Sequence, residues 1–462
     1  MTEQCRETPL AHRGEERVRT KLHRIAAKAR AEARIKFTSL YHLMNEEMLR
    51  ESYGELGADK AAGIDRVTKE EYGAKLGSNI AELVKRLHQM SYRPQPVRRV
   101  YIPKAGSTKQ RPLGVPSLED KLVQKAMVRI LEAIYEEDFI EGSYGFRPKR
   151  SCHDALRAVR RAVEEEGTNY VVEADIKGFF DNVKHEWMMR FLEHRVGDKR
   201  VLRMVVRFLR AGVMEEGKFQ ASEEGTPQGG SISPLLANIY LHYALDEWFE
   251  KVYRKSSKGK ARLIRYADDF VVCFQNREDA MRFLGELKER LQKFGLEVEP
   301  TKTKVVEFGK WAERNARARG GKPETFEFLG FTHYCSRTRD GKRFRMKRVT
   351  ARKKYRAKLA GMKEWIKQKR RTPLRELLAE VGAKLAGHYQ YYGVTDNYRG
   401  IRRYREDVER LVFKWLNRRS QRRSFTWEEF KRMLERFPLP EPRIRVSMYY
   451  RRCEGLFGEP CA

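Results

Sequence analysis

Two adjacent carboxylates stand between apolar runs in the segment Tyr266-Ala-Asp-Asp269. Leu263-Ile264 precedes the pair and Phe270-Val-Val-Cys-Phe274 follows it, which predicts two strands joined at Asp268 and Asp269. Aspartate is also favoured in hairpin turns, so the pair alone does not establish a reactive site. A third carboxylate, Asp175, ends a β-branched run, the one other strongly predicted strand. If the two segments are neighbouring strands, three carboxylates converge.

Three clustered carboxylates indicate divalent cations. Mg²⁺ prefers oxygen ligands and is commonly held by one or two carboxylates together with substrate phosphates. Two such ions ~3.5–4 Å apart stabilise the attacking and leaving oxygens of a phosphoryl transfer. A basic protein with such a site is expected to make or break phosphodiester bonds. The residues themselves leave polymerase and nuclease open.

The composition favours a nucleic-acid partner. The chain has 462 residues, with 97 Lys and Arg against 64 Asp and Glu, and a formal net charge of +33. Residues 341–462 carry 34 basic and 13 acidic residues, so the main electrostatic contact is expected there. The length excludes a single small binding module, and the 35% of charged residues argues against a multispan membrane protein.

Cysteine usage and the apolar runs indicate the compartment. None of the six Cys residues forms a C-x-x-C pair, which predicts neither a zinc module nor a disulfide framework. The longest uncharged run, residues 226–245, contains Gln, Asn, Pro and adjacent Gly and is not a membrane span. We therefore expect a cytoplasmic protein associated with the nucleoid or with a ribonucleoprotein.

The carboxylates need a sheet to hold them. Residues 170–308 read as strand, helix, hairpin, helix and strand, which predicts an α+β domain with helices packed on one face. Residues 97–103 and 110–115 predict a hairpin with a basic tip, and residues 15–56 predict one or two helices with a basic face. Three basic helices, a separate all-α domain, are predicted at residues 350–369, 373–392 and 400–419.

Three longer motifs resemble a reverse transcriptase of the group II intron-encoded type. They are Ala174-Asp-Ile-Lys-Gly-Phe-Phe-Asp181, Gly225-Thr-Pro-Gln-Gly-Gly-Ser-Ile-Ser-Pro-Leu-Leu-Ala-Asn-Ile-Tyr-Leu241 and Arg265-Tyr-Ala-Asp-Asp-Phe270. Further similar segments follow one another along most of the chain, at Ala62–Asp65, Tyr144–Pro148, Gly295–Lys304, Phe328–Phe331 and Gly387–Trp415.

The resemblance implies a right-hand polymerase, with α+β fingers and palm followed by an all-α thumb or maturase domain. The implied boundaries are an N-terminal helical extension at 1–58, fingers at 59–170, a palm at 171–345 with some finger elements interleaved, a thumb at 346–440 and a short basic extension at 441–462. Larger relatives add a C-terminal endonuclease with zinc ligands. Cys453 and Cys461 are spaced wrongly for zinc, so the type lacking this domain is expected.

By the same resemblance, Asp175 and Asp268 are metal ligands for two Mg²⁺ ions, with Mn²⁺ as a substitute. Asp269 is a further ligand or a charge-balancing neighbour, and the backbone carbonyl of Ile176 is another candidate ligand. Replacing any of the three Asp residues with Ala should abolish synthesis.

The resemblance also implies a nucleotide site. Lys104 and Arg111 match the pair that clamps the triphosphate, although a solvated basic hairpin is the alternative. Phe180 matches an aromatic ring placed against the sugar 2′ position, which would select deoxynucleotides, unless it is simply core. Gln228 matches a residue near the nucleotide 3′-OH. Lys302 matches a basic residue close to the active site, and a solvated lysine is an equal alternative.

Other matching residues have roles that the sequence leaves open. Arg147 and Asp65 could position the template or form fold-stabilising hydrogen bonds. Phe328–Phe331 matches a primer-supporting region, and packing is equally consistent with the two Phe residues. Tyr389 and its neighbouring aromatic residues fit a helix-bundle core better than base stacking.

The implied partners are an RNA template, a DNA primer, deoxynucleoside triphosphates, a group II intron RNA and target DNA, and the N-terminal helices could mediate a homodimer. Two other functions remain open. One is an RNA-binding maturase, a splicing cofactor that acts without polymerisation. The other is a reverse transcriptase of the same lineage that serves defence or spacer acquisition.

Overall fold

The computed structural model describes residues 9–103, 110–215, 218–221, 224–226, 229–419 and 424–449. Within these ranges no helix has the length and apolar character needed to cross a membrane. The strands of the described chain are β1 (Val97–Pro103), β2 (Gln110–Val115), β3 (Tyr170–Asp175), β4 (Val213–Glu215), β5 (Lys218–Gln220), β6 (Ala261–Tyr266), β7 (Asp269–Phe274), β8 (Lys304–Glu307), β9 (Phe326–Phe328), β10 (Phe331–Arg337) and β11 (Phe344–Thr350).

Helices occupy most of the remaining chain. The α-helices are α1 (Pro9–Ala31), α2 (Glu46–Gly54), α3 (Lys69–Gly73), α4 (Leu76–His88), α5 (Leu118–Tyr135), α6 (Cys152–Arg160), α7 (His185–Glu193), α8 (Lys199–Leu209), α9 (Ser233–Leu241), α10 (Arg254–Ser256), α11 (Arg277–Gln292), α12 (Ala312–Ala318), α13 (Arg352–Lys369), α14 (Leu374–Tyr392), α15 (Tyr398–Leu416) and α16 (Trp427–Arg436). Short 3-10 turns lie at Tyr41–Leu43, Phe179–Asp181 and Pro300–Lys302, and π-helical turns at Arg161–Glu165, His242–Asp246 and Phe249–Tyr253.

The central sheet has the strand order β6-β7-β3-β8, and all its pairings are antiparallel. One face packs through Val172 and Val272 into a core that includes α5, α7, α9 and α11. The other face packs through Val171 and Cys273 against α6, β9–β11 and α13–α15. The prediction of helices on one face is therefore wrong. Residues 270–274 are buried without alternation, as expected for a strand covered on both sides.

A second sheet has the order β2-β1-β4-β5. The predicted hairpin is present, because β1 and β2 pair antiparallel from Arg98 opposite Val115 to Pro103 opposite Gln110. Its tip, residues 104–109, lies outside the described residues. β1 also pairs in parallel with β4, a three-residue strand too short for the sequence to reveal.

A third sheet, β11-β10-β9, connects the central sheet to the C-terminal helices. Helices α13, α14 and α15 match the three predicted basic helices to within a few residues. Exposed cations line α13, namely Arg352, Lys353, Lys354, Arg356, Lys363, Lys367 and Lys369. The mixed α+β region followed by a helical region is thus confirmed.

Candidate active site

The carboxylate pair lies at the turn of the β6–β7 hairpin. Tyr266 faces Asp269 across the two strands, so the turn itself consists of Ala267 and Asp268, and Asp269 is the first residue of β7. Ala267 has a φ of 58°, a left-handed conformation that is uncommon for a residue with a Cβ. The backbone at this turn is therefore held in place by its surroundings.

The register of the central sheet brings the third carboxylate to the same place. Asp175, the last residue of β3, pairs directly with Asp269 of β7. Directly opposed residues in an antiparallel pair project to the same face, with Cβ atoms about 4.5–5.5 Å apart. Asp268 lies next to this pair in the turn, so the three predicted carboxylates come together.

Burial and the charges of the neighbouring carboxylates raise the pKa values of Asp268 and Asp269. Burial and the charges of Asp175 and Asp268 raise the pKa of Asp269 to about 7. Burial and the charge of Asp175 also raise the pKa of Asp268, against the opposing effect of Arg111 and Lys302. Like charges this close disfavour simultaneous ionisation, and a nearby cation relieves the repulsion.

Lys302 supplies one such cation. It ends the 3-10 turn Pro300–Lys302, and its Nζ forms an ion pair with Oδ2 of Asp175. The hydrogen bond to Asp175 raises the pKa of Lys302, so the ammonium is kept. The side chain of Lys302 is 59% exposed, which leaves it free to move when another cation approaches Asp175.

Some of the residues expected to bind the nucleotide lie in the described chain. Arg111 lies on β2 with an exposed side chain, and its charge acts on Asp268. Phe180 is half-buried in the turn after β3, with its ring edge-on to Phe179 at a centroid distance of 5.4 Å. Ile176 is buried and bridges Val298. Lys104 and Gln228 lie outside the described residues.

The described neighbours of Gln228 pack against the same region. The N–H groups of Gly225 and Thr226 donate to the carbonyls of Val183 and Phe180, both at 2.8 Å. Gly229 has a φ of 117°, and a Cβ there would lie 2.3 Å from the carbonyl oxygen of Gly114 in β2. Only glycine permits this close approach of two backbones.

The sequence profile described as "Reverse transcriptase (RNA-dependent DNA polymerase)" matches residues 102–333, half of the chain. This match includes β3, the β6–β7 hairpin and Lys302. The chain belongs to the reverse transcriptase family.

Curated relatives agree with this assignment. Group II intron-encoded protein LtrA of Lactococcus lactis subsp. cremoris is 42% identical to this chain over 207 residues, 45% of the chain and 34% of LtrA. Protein YkfC of Escherichia coli K12 is 41% identical over 207 residues, 44% of the chain and 53% of YkfC. An uncharacterised 91 kDa protein in the cob intron of Schizosaccharomyces pombe is 30% identical over 316 residues, 57% and 39% of the two chains. The matches thus span about a third to a half of these relatives.

The carboxylate donors of this site fit Mg²⁺. Across the described ranges, no three or more His, Cys, Asp and Glu side chains are arranged so that they alone could hold a metal ion. Mg²⁺ does not require one, because it is usually held by one or two carboxylates, waters and substrate phosphates. The raised pKa values of Asp268 and Asp269 show carboxylates whose ionised forms a cation would stabilise.

The sequence assigned no role to Arg265, whose side chain holds the carboxylate turn through the carbonyl of Ala267. Arg265 is fully buried and donates to Asp246, Asn238, Ser143 and the carbonyl of Ala267. The sequence did point to two of these residues, because Arg265 and Asn238 lie inside two of the motifs. A buried arginine requires several acceptors, and those acceptors come from distant segments.

The motif around Tyr144–Pro148 supports the same turn. A Cβ on Gly145 would lie 2.3 Å from the backbone nitrogen of Ala267, and Asn238 donates to the carbonyl of Gly145 at 2.7 Å. Arg147 is buried and bonds Glu136 together with the carbonyls of Ile140 and Ser143. Of the two roles left open for Arg147, its contacts are those of a fold-stabilising residue.

Asp65 also makes local contacts. Its carboxylate accepts from the N–H of Val67 at 3.3 Å, which fixes the turn before α3. Nearby, a Cβ on Gly63 would lie 2.5 Å from the Cα of Ser117, the N-cap of α5. This motif therefore joins the N-terminal helices to the start of α5.

Proposed function

We propose that this chain is an RNA-directed DNA polymerase of the group II intron type, which copies RNA into DNA by two-metal phosphoryl transfer. The observation that carries the proposal is the direct pairing of Asp175 with Asp269, with Asp268 in the adjoining turn. Family membership supplies the reaction class, and this carboxylate cluster is the group of residues in the described chain suited to it.

In this proposal Asp175 and Asp268 would hold two Mg²⁺ ions, with Asp269 and the carbonyl of Ile176 as further oxygen donors. Bound there, the ions would stabilise the attacking primer 3′-oxygen and the leaving pyrophosphate oxygen. The chain itself fixes the positions of the carboxylates, since Asp175 and Asp269 are both held in strands of the central sheet. Mn²⁺ would substitute because it accepts the same ligands.

The nucleotide would lie between the central sheet and β2. Arg111 presents an exposed guanidinium on β2, and Lys302 presents an ammonium at Asp175, so both could bind phosphate oxygens. Phe180 would exclude the 2′-OH of a ribonucleotide. By resemblance, Lys104 would join Arg111 at the triphosphate, and Gln228 would contact the nucleotide near its 3′-OH.

Primer extension tests the proposal. The purified chain would be given a DNA primer annealed to an RNA template, with Mg²⁺ and deoxynucleoside triphosphates. We expect full-length DNA whose synthesis stops when EDTA is added. Binding of the primed template without extension, under either Mg²⁺ or Mn²⁺, would contradict the proposal.

We propose the domain assignment on the same basis: fingers at 59–170, palm at 171–345 and a thumb at 346–440, flanked by extensions at 1–58 and 441–462. The exposed cations of α13 suit a surface that follows the phosphates of a template–primer duplex without reading its sequence. Binding there should weaken steeply with salt.

A second role, maturation of an intron RNA, is favoured by the excess of basic residues after position 340. We propose that the chain binds a group II intron RNA in the cytoplasm, assists its splicing and carries it to target DNA, either alone or as a homodimer. A filter-binding comparison would test this proposal. Preference for the flanking intron RNA over an unrelated structured RNA of equal length supports the role, and equal affinity contradicts it.

A further inference from the structure

The turn that joins β9 to β10 follows a strand, β9, that packs against β3 and β7, the strands that carry Asp175 and Asp269. Phe328 pairs with Phe331, so the turn consists of Leu329 and Gly330. Their φ angles are 50° and 77°, the left-handed pair typical of a type I′ hairpin. Asn-Gly is the usual sequence for such a turn, and a bulky leucine at its first position is an outlier. Strain of this kind concentrates at functional sites and persists where surrounding contacts hold it.

Leu329 contacts Asp269 through its backbone. The backbone N–H of Leu329 favours the ionised form of the Asp269 carboxylate, which partly offsets the effect of burial on the pKa of that group. Since the side chain of Asp269 is half-buried, the position of this N–H restricts the orientation of the carboxylate. The β9–β10 turn therefore acts as an outer support of the candidate metal site.

The carbonyl of the same residue is bound from the opposite side. The hydroxyl of Tyr391, near the end of α14, donates to the oxygen of Leu329 at 2.9 Å. The ring of Tyr391 stacks on Phe331, with centroids 6.0 Å apart and an interplanar angle of 16°. His153 at the start of α6 bonds the backbone oxygen of Tyr391 at 2.9 Å. Tyr391 is thus fixed by the helix, the third sheet and α6.

We infer that Tyr391 is a positioning residue for the catalytic centre: its hydroxyl holds Leu329, and Leu329 holds the carboxylate of Asp269. The position of α14 thereby determines how Asp269 faces the metal site. This inference rests on the proposed polymerase function, and it extends that function by giving a helix of the proposed thumb a defined effect on the chemistry. Residues that orient metal-binding carboxylates commonly affect both metal affinity and rate.

A second tyrosine of helix α14 provides a control for the Tyr391 substitution. Tyr389, two residues before Tyr391, is buried, and its hydroxyl has no hydrogen-bond partner. Tyr389→Phe and Tyr391→Phe remove the same atom from the same helix, but only the second breaks a bond to the turn. A purely packing role would make the two substitutions equivalent.

The test measures turnover and metal affinity in the full chain. We expect Tyr391→Phe to lower kcat for primer extension about tenfold, with KM for the nucleotide within about twofold of the parent. Mn²⁺ affinity, measured by electron paramagnetic resonance without nucleotide, should fall by a similar factor. Tyr389→Phe should match the parent in both measurements, and the melting temperatures of the two variants should agree.

A double-substitution comparison localises the effect. If Tyr391 acts through Asp269, Tyr391→Phe should change Mn²⁺ affinity in the parent but not in an Asp269→Asn background. Equal kcat and Mn²⁺ affinity for Tyr391→Phe and Tyr389→Phe would overturn the inference, as would an undiminished effect in the Asp269→Asn background. If the parent extends no primer, the polymerase proposal fails, while the Mn²⁺ comparison still tests the positioning role.

Discussion

Arg265 and Asp246 form an ion pair in which both side chains are fully buried, directly beneath the turn that carries Asp268 and Asp269. Nε of Arg265 donates to Oδ1 of Asp246 at 2.8 Å, and Nη2 donates to Oδ2 at 2.5 Å. A third bond, donated by Nη1 and 3.0 Å long, holds the carbonyl of Ala267 in the turn. The pair therefore links the fold of the central sheet to the position of the carboxylates.

Replacing Arg265 should destabilise the folded protein. Arg265→Leu leaves Asp246 buried without its partner, for which we expect a loss of about 3–5 kcal/mol in the free energy of unfolding. Urea denaturation followed by tryptophan fluorescence measures the loss. Arg262→Leu is the matched control on the same strand, because Arg262 pairs with Glu166 while the two side chains stay 32% and 28% exposed, so its loss should cost less than that of the buried pair, about 1 kcal/mol. Equal losses of stability in the two variants would show that the buried ion pair contributes no more than the partly exposed one.

Asp269 makes stability depend on pH in the metal-free protein. Its pKa, about 7, exceeds the ordinary value of 3.8 because of burial and the charges of Asp175, Asp268 and Glu173, opposed by the N–H of Leu329. The folded state therefore binds a proton that the unfolded state releases between about pH 4 and 7, so this group's contribution to stability falls as pH rises through that window.

The substitution Asp269→Asn removes this effect. We expect the metal-free variant to be more stable than the parent at about pH 8, by on the order of 2 kcal/mol, with little difference near pH 5. Added Mg²⁺ should stabilise the parent more than the variant. Thermal melts across pH provide the measurement, and a pH-independent difference would contradict this account of Asp269.

Much of this site was predictable from the sequence. The β-branched run before Asp175 and the apolar runs around Asp268 gave the right strands, and the neighbouring-strand hypothesis gave the right convergence. The pairing partner of Asp175 lies 94 positions away in sequence, at Asp269, and no local pattern specifies that register. The network around Arg265 was missed although Arg265 and Asn238 stand in the matching motifs, because its side-chain acceptors lie 19, 27 and 122 positions away in sequence.

The third sheet was missed because its residues break the usual pattern. Strand β11 points Met346 and Arg348 inward, and Arg348 is fully buried although it is charged. An inward arginine conceals the alternation that identifies a strand. Strands β4 and β5, with three residues each, are too short for periodicity to be seen.

Lys302 should compete with metal for Asp175. Lys302→Met removes the ammonium from Asp175, so Mn²⁺ affinity should rise about twofold to fivefold, as expected for a largely exposed ion pair. Polymerisation should slow, because the same ammonium is proposed to bind phosphate. Lys304→Met is the matched control, since Lys304 pairs instead with Glu173 at 3.5 Å. Weaker Mn²⁺ binding by Lys302→Met would contradict the competition.

Phe180 should select the sugar of the nucleotide. Phe180→Val opens space beside the 2′ position, and we expect ribonucleotide incorporation relative to deoxynucleotide to rise about tenfold or more in kcat/KM. Phe180→Tyr retains the ring and should keep the parent's selectivity. Single-nucleotide insertion kinetics give both ratios. Unchanged selectivity in Phe180→Val would assign Phe180 to the core alone.

The convergence of Asp175, Asp268 and Asp269 is most directly tested by primer extension with the double variant Asp268→Ala, Asp269→Ala. Parent and variant would receive the same RNA template, DNA primer, Mg²⁺ and deoxynucleotides, after melting curves and RNA binding have shown that both are folded. We predict full-length DNA from the parent and none from the variant. Extension by the variant at the parent's rate, or none by a folded, RNA-binding parent, would contradict a catalytic site built on these carboxylates.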